Sequence, residues 1–172
     1  VLIGLTQPHA KTILAYSTVS QMGVVAAIIG AGMTTGAPHT ATLAAFYALH
    51  HLLVKGALFL GVGIAGAMGK SHRVSFVLIP MTLLALSLAG LPFTSGALAK
   101  LAIKPLFGDD VFALLPSLAA AGSTMLMLHF LGRLQLLGND DHEAAPQRPL
   151  MLAWTLVAGS AFIVPWAVFA SV

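Results

Sequence analysis

The amino-acid sequence predicts an all-α membrane protein, a bundle of about five transmembrane helices of which the third is broken. Hydrophobic residues make up 58% of the 172 residues and charged residues only 8%, whereas about 25% of residues are charged in soluble domains. The mean hydropathy is +0.95. Long apolar runs fill most of the chain, and a helix that crosses a bilayer needs roughly 20 such residues. A water-soluble globule is therefore excluded.

Five long apolar runs follow one another along the chain. They cover residues 12–33, 40–68, 74–107, 111–137 and 149–172. Turn-forming Gly36 and Pro38 end the first run, and the hydrophilic residues 138–148 separate the fourth run from the fifth. Because neither barrel-type alternation nor a repeat of about 20 to 50 residues is visible, we interpret the chain as one transmembrane helical domain.

The third run is too long for one helix across a bilayer. As a continuous helix it would reach roughly 50 Å, against a hydrocarbon core of roughly 30 Å. Within it, Pro92 lacks a backbone donor, and Gly90 and Gly96 relax the backbone. Unwound backbone is tolerated at membrane depth only inside protein or beside a wet cavity, so we predict a broken helix within the bundle. The alternative is a full span that ends near Leu91, followed by a short amphipathic helix outside the bilayer.

Basic residues favour one end of this bundle. If each run crosses once, the cations on one face are Lys11, Lys70, Arg73, Arg133 and Arg148. Asp109 and Asp110 fall on the other face, so the positive-inside rule predicts that the first face is cytoplasmic. Trp154 and Trp166, near the ends of the last run, are candidate interfacial anchors.

Several kinds of chemistry are excluded by composition. The chain has no Cys, so disulfides, iron–sulfur clusters and thiolate zinc cannot form. All acidic residues lie outside the apolar runs, so no carboxylate metal site or paired-carboxylate site can be built inside the membrane. The cations are scattered and the net charge is only +3, so there is no nucleic-acid patch. We predict no catalytic residue, metal or cofactor, and the absence of a starting Met leads us to expect a fragment of a larger subunit.

The strongest candidate for function is Lys55, near the centre of the second run. A lysine there costs on the order of 2.5–3.5 kcal/mol and normally faces a bundle interior or a hydrated pathway. His51 and Tyr47 lie one and two turns before it on the same helical stripe, with His50 about 100° away around the helix. Because burial disfavours a charged lysine and histidine titrates near neutrality, the stripe is suited to proton transfer. The structural alternative is that Lys55 binds carbonyls of a broken helix and His51 is a core residue.

Three further residues are candidates for a proton relay. Lys100 follows the predicted break and lies either in a hydrated cavity or at the far interface. Lys11 opens the first run, where a cytoplasmic anchor is the alternative role. His129 lies in the fourth run, four residues before Arg133, and is either a relay member or a core residue.

Three segments resemble signatures of the antiporter-like membrane subunits shared by respiratory complex I, multisubunit cation/proton antiporters and membrane-bound hydrogenases. They are Lys11-Thr-Ile-Leu-Ala-Tyr-Ser-Thr-Val-Ser-Gln-Met-Gly23, Phe46-Tyr-Ala-Leu-His-His-Leu-Leu-Val-Lys-Gly-Ala-Leu-Phe-Leu60 and Gly90-Leu-Pro-Phe-Thr-Ser-Gly-Ala-Leu-Ala-Lys100. The resemblance spans roughly residues 8–135 and includes the order and spacing of the segments.

The resemblance implies a proton-translocating subunit with two inverted five-helix repeats. This chain would hold most of the second repeat, about residues 1–137, and a final helix at about 149–172, with the glutamate–lysine pair of the first repeat upstream. By position, Lys55 matches the family's central lysine, Lys100 the lysine on the broken helix, and His51 the histidine between them. Lys11 matches the lysine that opens the preceding span. Tyr47 replaces a second histidine of the complex I subunit, which favours the antiporter or hydrogenase branches.

We therefore expect a non-catalytic, proton-translocating subunit of an oxidoreductase or antiporter complex in a bacterial-type inner membrane. Its partners would be other membrane subunits, the lipid bilayer, and protons or sodium ions. Sodium/proton or other ion-coupled transport is one alternative, and a non-conducting scaffold is another. The scaffold has no reason to bear the cost of buried cations such as Lys55.

Overall fold

The computed structural model describes residues 1–69, 72–108, 114–137 and 146–170, and within these ranges it contains helices and no strand. The α-helices are α1 (Leu2–Leu5), α2 (Ala10–Thr35), α3 (Thr40–Met68), α4 (Ser75–Ala89), α5 (Ser95–Ile103), α6 (Leu114–Leu137) and α7 (Arg148–Phe169). Short 3₁₀ turns occupy His72–Val74 and Lys104–Phe107. The all-α prediction is confirmed. The short helix α1 was not predicted, because four residues are too few for a periodic signal.

Four of these helices, α2, α3, α6 and α7, are long and apolar enough to cross a membrane. Helix α4 has only 15 residues and α5 only 9, which correspond to about 22 Å and about 13 Å of helix. Neither could cross alone. The third predicted run, residues 74–107, therefore corresponds to α4 and α5 together.

The break between α4 and α5 lies where the sequence predicts it. Gly90 ends α4 in the left-handed conformation with φ 87°, and Phe93 in the connecting turn also has a positive φ of 66°. Thr94 caps the restart by accepting a hydrogen bond from the Ala97 N–H. Helix α5 packs against α3 and α7 and buries Ser95 and Gly96. It is therefore part of the bundle, and the alternative of an amphipathic helix outside the bilayer is wrong.

Helices α4 and α5 follow α3 one after the other in the antiparallel direction. Met81 of α4 lies against Gly61 of α3, where a Cβ would approach the Met81 Sδ to 2.5 Å. Gly96 of α5 lies beside His50 of α3. Helix α5 therefore covers the part of α3 that carries the polar stripe.

Two of the cations that the sequence assigns to one face, Lys11 and Arg133, lie together at one end of the bundle. Lys11 and Arg133 border one cavity together with Gly66, which lies near the end of α3. At the opposite end, Thr40 at the start of α3 packs on Gly32 near the end of α2. Lys70, Asp109, Asp110 and most of the linker at 138–148 lie outside the described residues. Which end is cytoplasmic remains a prediction.

The two tryptophans of α7 have different surroundings. Trp154 is 4% exposed and donates its indole N–H to the Ala57 carbonyl of α3 at 3.1 Å. Its assignment as an interfacial anchor is therefore wrong, because α7 turns this side chain toward α3 rather than toward lipid. Trp166 is exposed, as an interfacial residue would be.

Candidate proton-relay site

The polar stripe of α3 is fully inside the bundle. Tyr47, His51 and Lys55 are each 3–4% exposed, and His50 is 4% exposed. Tyr47, His51 and Lys55 lie on successive turns of α3. Helices α2, α4 and α5 pack over them. All four side chains are therefore shielded from the outer surface of the bundle. For Lys55 this is expected, because an intramembrane lysine exposed to lipid is costly.

Lys55 is held by helix α2. Its Nζ donates a hydrogen bond to the Leu14 carbonyl oxygen at 2.8 Å, and the same oxygen accepts from the Thr18 hydroxyl at 3.0 Å. Helix α2 is continuous through this region, so the carbonyl belongs to an intact helix and not to a broken one. Lys55 thus has a polar contact, but within the described residues the structure gives it no salt bridge.

Lys100 is held by the break itself. Its Nζ donates to the Ala89 carbonyl oxygen at 2.6 Å. In a continuous helix this oxygen would accept the N–H of residue 93, but the chain leaves the helix at Gly90. The side chain packs so closely that a Cβ on Gly90 would lie 2.6 Å from Nζ. Lys100 was expected either in a cavity of the bundle or at the far interface. The structure places it beside a cavity inside the bundle.

A small cavity of about 10 Å³ lies between α2, α3, α4 and α5. Its lining residues are Gln21, Tyr47, His50, His51, Leu88, Gly96, Ala99 and Lys100. A volume of this order holds about one water molecule. The cavity therefore joins most of the α3 stripe to the lysine of the broken helix.

Three of the four ring nitrogens of the histidines beside this cavity are buried without a hydrogen-bond partner among the described residues. Both ring nitrogens of His51 and the Nδ1 of His50 are buried and unpaired there. Such groups normally pair with protein or with ordered water. His50 lies about 100° away from the stripe around α3, yet both histidines border the cavity.

Gly96 permits this close approach. A Cβ at this position would lie 1.8 Å from the Ser87 backbone oxygen and 3.2 Å from His50 Nε2. The Gly96 N–H donates to the Ser87 hydroxyl at 3.1 Å, and that hydroxyl also lies 3.1 Å from the Ser95 hydroxyl. The sequence predicted Gly96 as part of the break, and the structure adds that it is a contact point between α4 and α5.

Gln21 and Ser123 are polar site residues that the sequence did not single out. Gln21 lies in α2 and hydrogen-bonds both the Tyr47 hydroxyl and the Ser123 hydroxyl of α6. An amide in the middle of an apolar run is a signal that could have identified Gln21. Ser123 gives no such signal, because serine is common between membrane helices.

Lys11 and His129 lie away from the small cavity. Lys11 is exposed and borders an open cavity of about 540 Å³ together with His9 and Arg133. His129 is half-buried, and its Nε2 lies 2.9 Å from the Gln7 carbonyl oxygen. The predicted relay residues therefore fall into one group on α3 and α5, of which Tyr47, His50, His51 and Lys100 line the small cavity, and two outlying positions.

Comparison with known proteins places the chain among membrane transport subunits. The family model described as NADH:quinone oxidoreductase/Mrp antiporter, TM, matches residues 1–108. A protein of Staphylococcus saprophyticus named "Putative antiporter subunit mnhA2" is 37% identical over 110 aligned residues, which cover 52% of this chain and 14% of that protein. A protein of the same name in Staphylococcus aureus strain JH9 is 34% identical over 119 aligned residues, which cover 58% of this chain and 15% of that protein. The chain thus spans about one seventh of the length of these relatives. No solved structure gives a significant match.

Proposed function

The chain belongs to the NADH:quinone oxidoreductase/Mrp antiporter transmembrane family, and we propose that it forms a proton half-channel within a larger antiporter-type subunit. In this proposal α1 to α6 form most of the subunit's second repeat and α7 is its final helix. The subunit would work with other membrane subunits in a bacterial cytoplasmic membrane, and its relatives in Staphylococcus, which are named as antiporter subunits, agree with this.

The observation that carries the proposal is the cavity of about 10 Å³ between the α3 histidines and Lys100. Unpaired histidine nitrogens border it, and it has room for one water. A scaffold would gain stability from an apolar core at this place, since buried polar groups without partners cost free energy.

The proposed route has three steps along named atoms. A proton leaves Lys55 Nζ for a ring nitrogen of His51, one turn away on α3. From His51 it passes to the cavity water, and from there to His50 or to neutral Lys100. Each transfer moves one proton from a nitrogen or oxygen to a neighbour with a free lone pair, so no further reactant is needed. The outlying Lys11 would supply protons from the open cavity that it borders, and His129 would be an additional relay group beside Gln7.

The lining of the cavity favours protons over sodium as the ion carried at this point. Sodium is a hard cation that is bound by oxygen ligands, as calcium and magnesium are. Of the side chains that line the cavity, only Tyr47 and Gln21 offer oxygen, and their oxygens are hydrogen-bonded to each other. A sodium path, if the complex exchanges sodium for protons, would use other parts of the assembly.

Substitution of Lys55 in the full-length subunit, assembled with its partner subunits in vesicles, tests the proposal. Lys55→Ala removes the proton carrier, and we expect proton movement followed with a pH-sensitive dye to be abolished or strongly reduced. Lys55→Arg keeps a positive charge and a donor for the Leu14 carbonyl, but a guanidinium does not release its proton. We expect Lys55→Arg to assemble normally and to be nearly as inactive as Lys55→Ala. Undiminished proton movement in either assembled variant would overturn the proposal, and would favour the scaffold.

A further inference from the structure

A chain of hydrogen bonds ties the small cavity to helix α6. Tyr47 of α3, Gln21 of α2 and Ser123 of α6 are 4%, 3% and 3% exposed, respectively. The Tyr47 hydroxyl contacts Gln21 Oε1, and Gln21 Nε2 contacts the Ser123 hydroxyl. The Ser123 hydroxyl in turn donates to the Ala119 carbonyl oxygen at 2.7 Å.

The donor and acceptor of each of these hydrogen bonds can be assigned by starting from Ser123. A serine hydroxyl has one hydrogen, and Ser123 uses it on the Ala119 carbonyl. Ser123 must therefore accept from Gln21, which turns the amide NH₂ toward α6 and the amide oxygen toward Tyr47. An amide oxygen can only accept, so the Tyr47 hydroxyl must donate to it.

We propose that Gln21 and Ser123 are positioning residues that hold Tyr47 as a hydrogen-bond acceptor toward the small cavity. The inference rests on the proposed proton route. Because the Tyr47 hydroxyl donates its only hydrogen to Gln21, it can accept a hydrogen bond from a group in the cavity but cannot donate one. Tyr47 and Gln21 both line the cavity, so the Tyr47 hydroxyl acts as an acceptor at the place where the proton would pass.

Because the Tyr47 hydroxyl can only accept a hydrogen bond from the cavity, it orients the cavity water. A water between Tyr47 and the other lining groups donates one hydrogen to the phenol oxygen, so a lone pair is directed toward the remaining groups. The titratable groups there are His50 and His51 of α3 and Lys100 of α5. An oriented lone pair lets the water accept a proton from one of them without first rotating. A free Tyr47 hydroxyl would instead compete by donating to that lone pair.

A double-substitution experiment tests whether Gln21 acts through Tyr47. In the assembled complex in vesicles, Gln21→Met keeps the side-chain length but releases the Tyr47 hydroxyl. We expect proton movement to slow about threefold to tenfold, the rate equivalent of one hydrogen bond. Tyr47→Phe should slow it by a similar factor. Adding Gln21→Met to Tyr47→Phe should cause no further loss, because the hydroxyl to be oriented is already gone. Multiplied losses in the double variant would overturn the inference, since Gln21 would then act independently of Tyr47.

Ser123 offers a rescue that separates positioning from packing. Ser123→Ala removes the acceptor for the Gln21 NH₂ and should slow proton movement, whereas Ser123→Thr keeps the hydroxyl and should restore it. Equal losses in both variants would contradict positioning through the hydroxyl.

An infrared readout keeps this inference distinguishable from the proposed function. The C–O stretch of a ring-labelled tyrosine differs between a phenol that donates and one that only accepts, and Tyr47→Phe identifies the band of Tyr47. We expect a donor-type band in the native complex that shifts in Gln21→Met. An accepting-only band in the native complex would overturn the inference whether or not the complex transports protons. Failure of the Lys55 experiment alone, with the expected band present, would instead count against the proton route.

Discussion

Lys55 and Lys100 both donate to a backbone carbonyl, but the two carbonyls differ. Lys55 binds the Leu14 oxygen of an intact helix, which the Thr18 hydroxyl also contacts. Lys100 binds the Ala89 oxygen, which has lost its helical donor because α4 ends there. Lys55 is thus an additional donor to an oxygen that already has partners, whereas Lys100 replaces a missing one.

The difference shows how one bundle can hold two buried lysines with different consequences for the backbone. Removing Lys55 leaves the Leu14 oxygen satisfied by its helix. Removing Lys100 leaves the Ala89 oxygen dependent on water, at a cost of about 1–3 kcal/mol where a buried acceptor stays unpaired. Lys100 therefore stabilises the break through this hydrogen bond, and variants of the two lysines should be compared with that cost in mind.

Of three substitutions that test this comparison, Lys100→Ala should have the largest effect on transport. It removes a group that borders the cavity, and loss of a positioned proton-transfer group typically costs about a hundredfold or more. We expect a loss of that size in dye-monitored proton movement by the vesicle-embedded complex. Lys104→Ala is the matched control, because Lys104 is exposed one turn later and its loss should change transport little. Equal losses in both variants would show that overall positive charge, and not the position of Lys100, matters.

Gly96→Ala should disturb the break without removing a titratable group. The new Cβ would lie 1.8 Å from the Ser87 backbone oxygen, so α4 and α5 must separate, at about 1–3 kcal/mol for an overpacked site. We expect a lower melting temperature of the purified complex and slower proton movement. Gly63→Ala in α3 is the control, since a Cβ there meets nothing within 4 Å. A Gly96→Ala complex as stable and active as Gly63→Ala would contradict the described contact.

Thr18→Val should have the smallest effect. It removes the Thr18 hydrogen bond to the Leu14 oxygen but leaves Lys55 as a donor to the same atom. We expect less than about 1 kcal/mol of lost stability, within the range for a single hydrogen bond, and a change in proton movement below about threefold. Thr82→Val removes the equivalent bond from Thr82 to Leu78 in α4 and should leave proton movement unchanged. A large loss in Thr18→Val would mean that Thr18, and not Lys55, controls the Leu14 oxygen.

The helices and the break could be predicted because their causes are local. Hydropathy located α3 at residues 40–68, the bounds that the structure gives. Gly90 and Pro92 located the break because each changes the backbone within its own turn. The stripe of Tyr47, His51 and Lys55 followed from helical spacing alone.

Contacts between helices could not be predicted, because they depend on how distant segments are packed. The chain from Tyr47 through Gln21 to Ser123 joins residues 26 and 102 positions apart. Trp154 was misassigned for the same reason, since its partner Ala57 lies 97 positions earlier. The placement of His50 beside the cavity likewise required the position of α5. Sequence periodicity indicates which face is polar, but not which helix covers it.

Replacement of His51 by Leu tests the central claim most directly. Both His51 ring nitrogens are unpaired within the described residues, so the substitution removes no hydrogen bond that the structure shows and places an apolar group in a buried site. A purely structural role predicts an unchanged or more stable complex that still transports. The proton route predicts an assembled complex, at least as stable as the native one, in which proton movement is lost by about a hundredfold or more. Leu52→Ala, at the exposed neighbouring position, is the control and should transport normally. Native proton movement in an assembled His51→Leu complex would contradict a relay through this cavity.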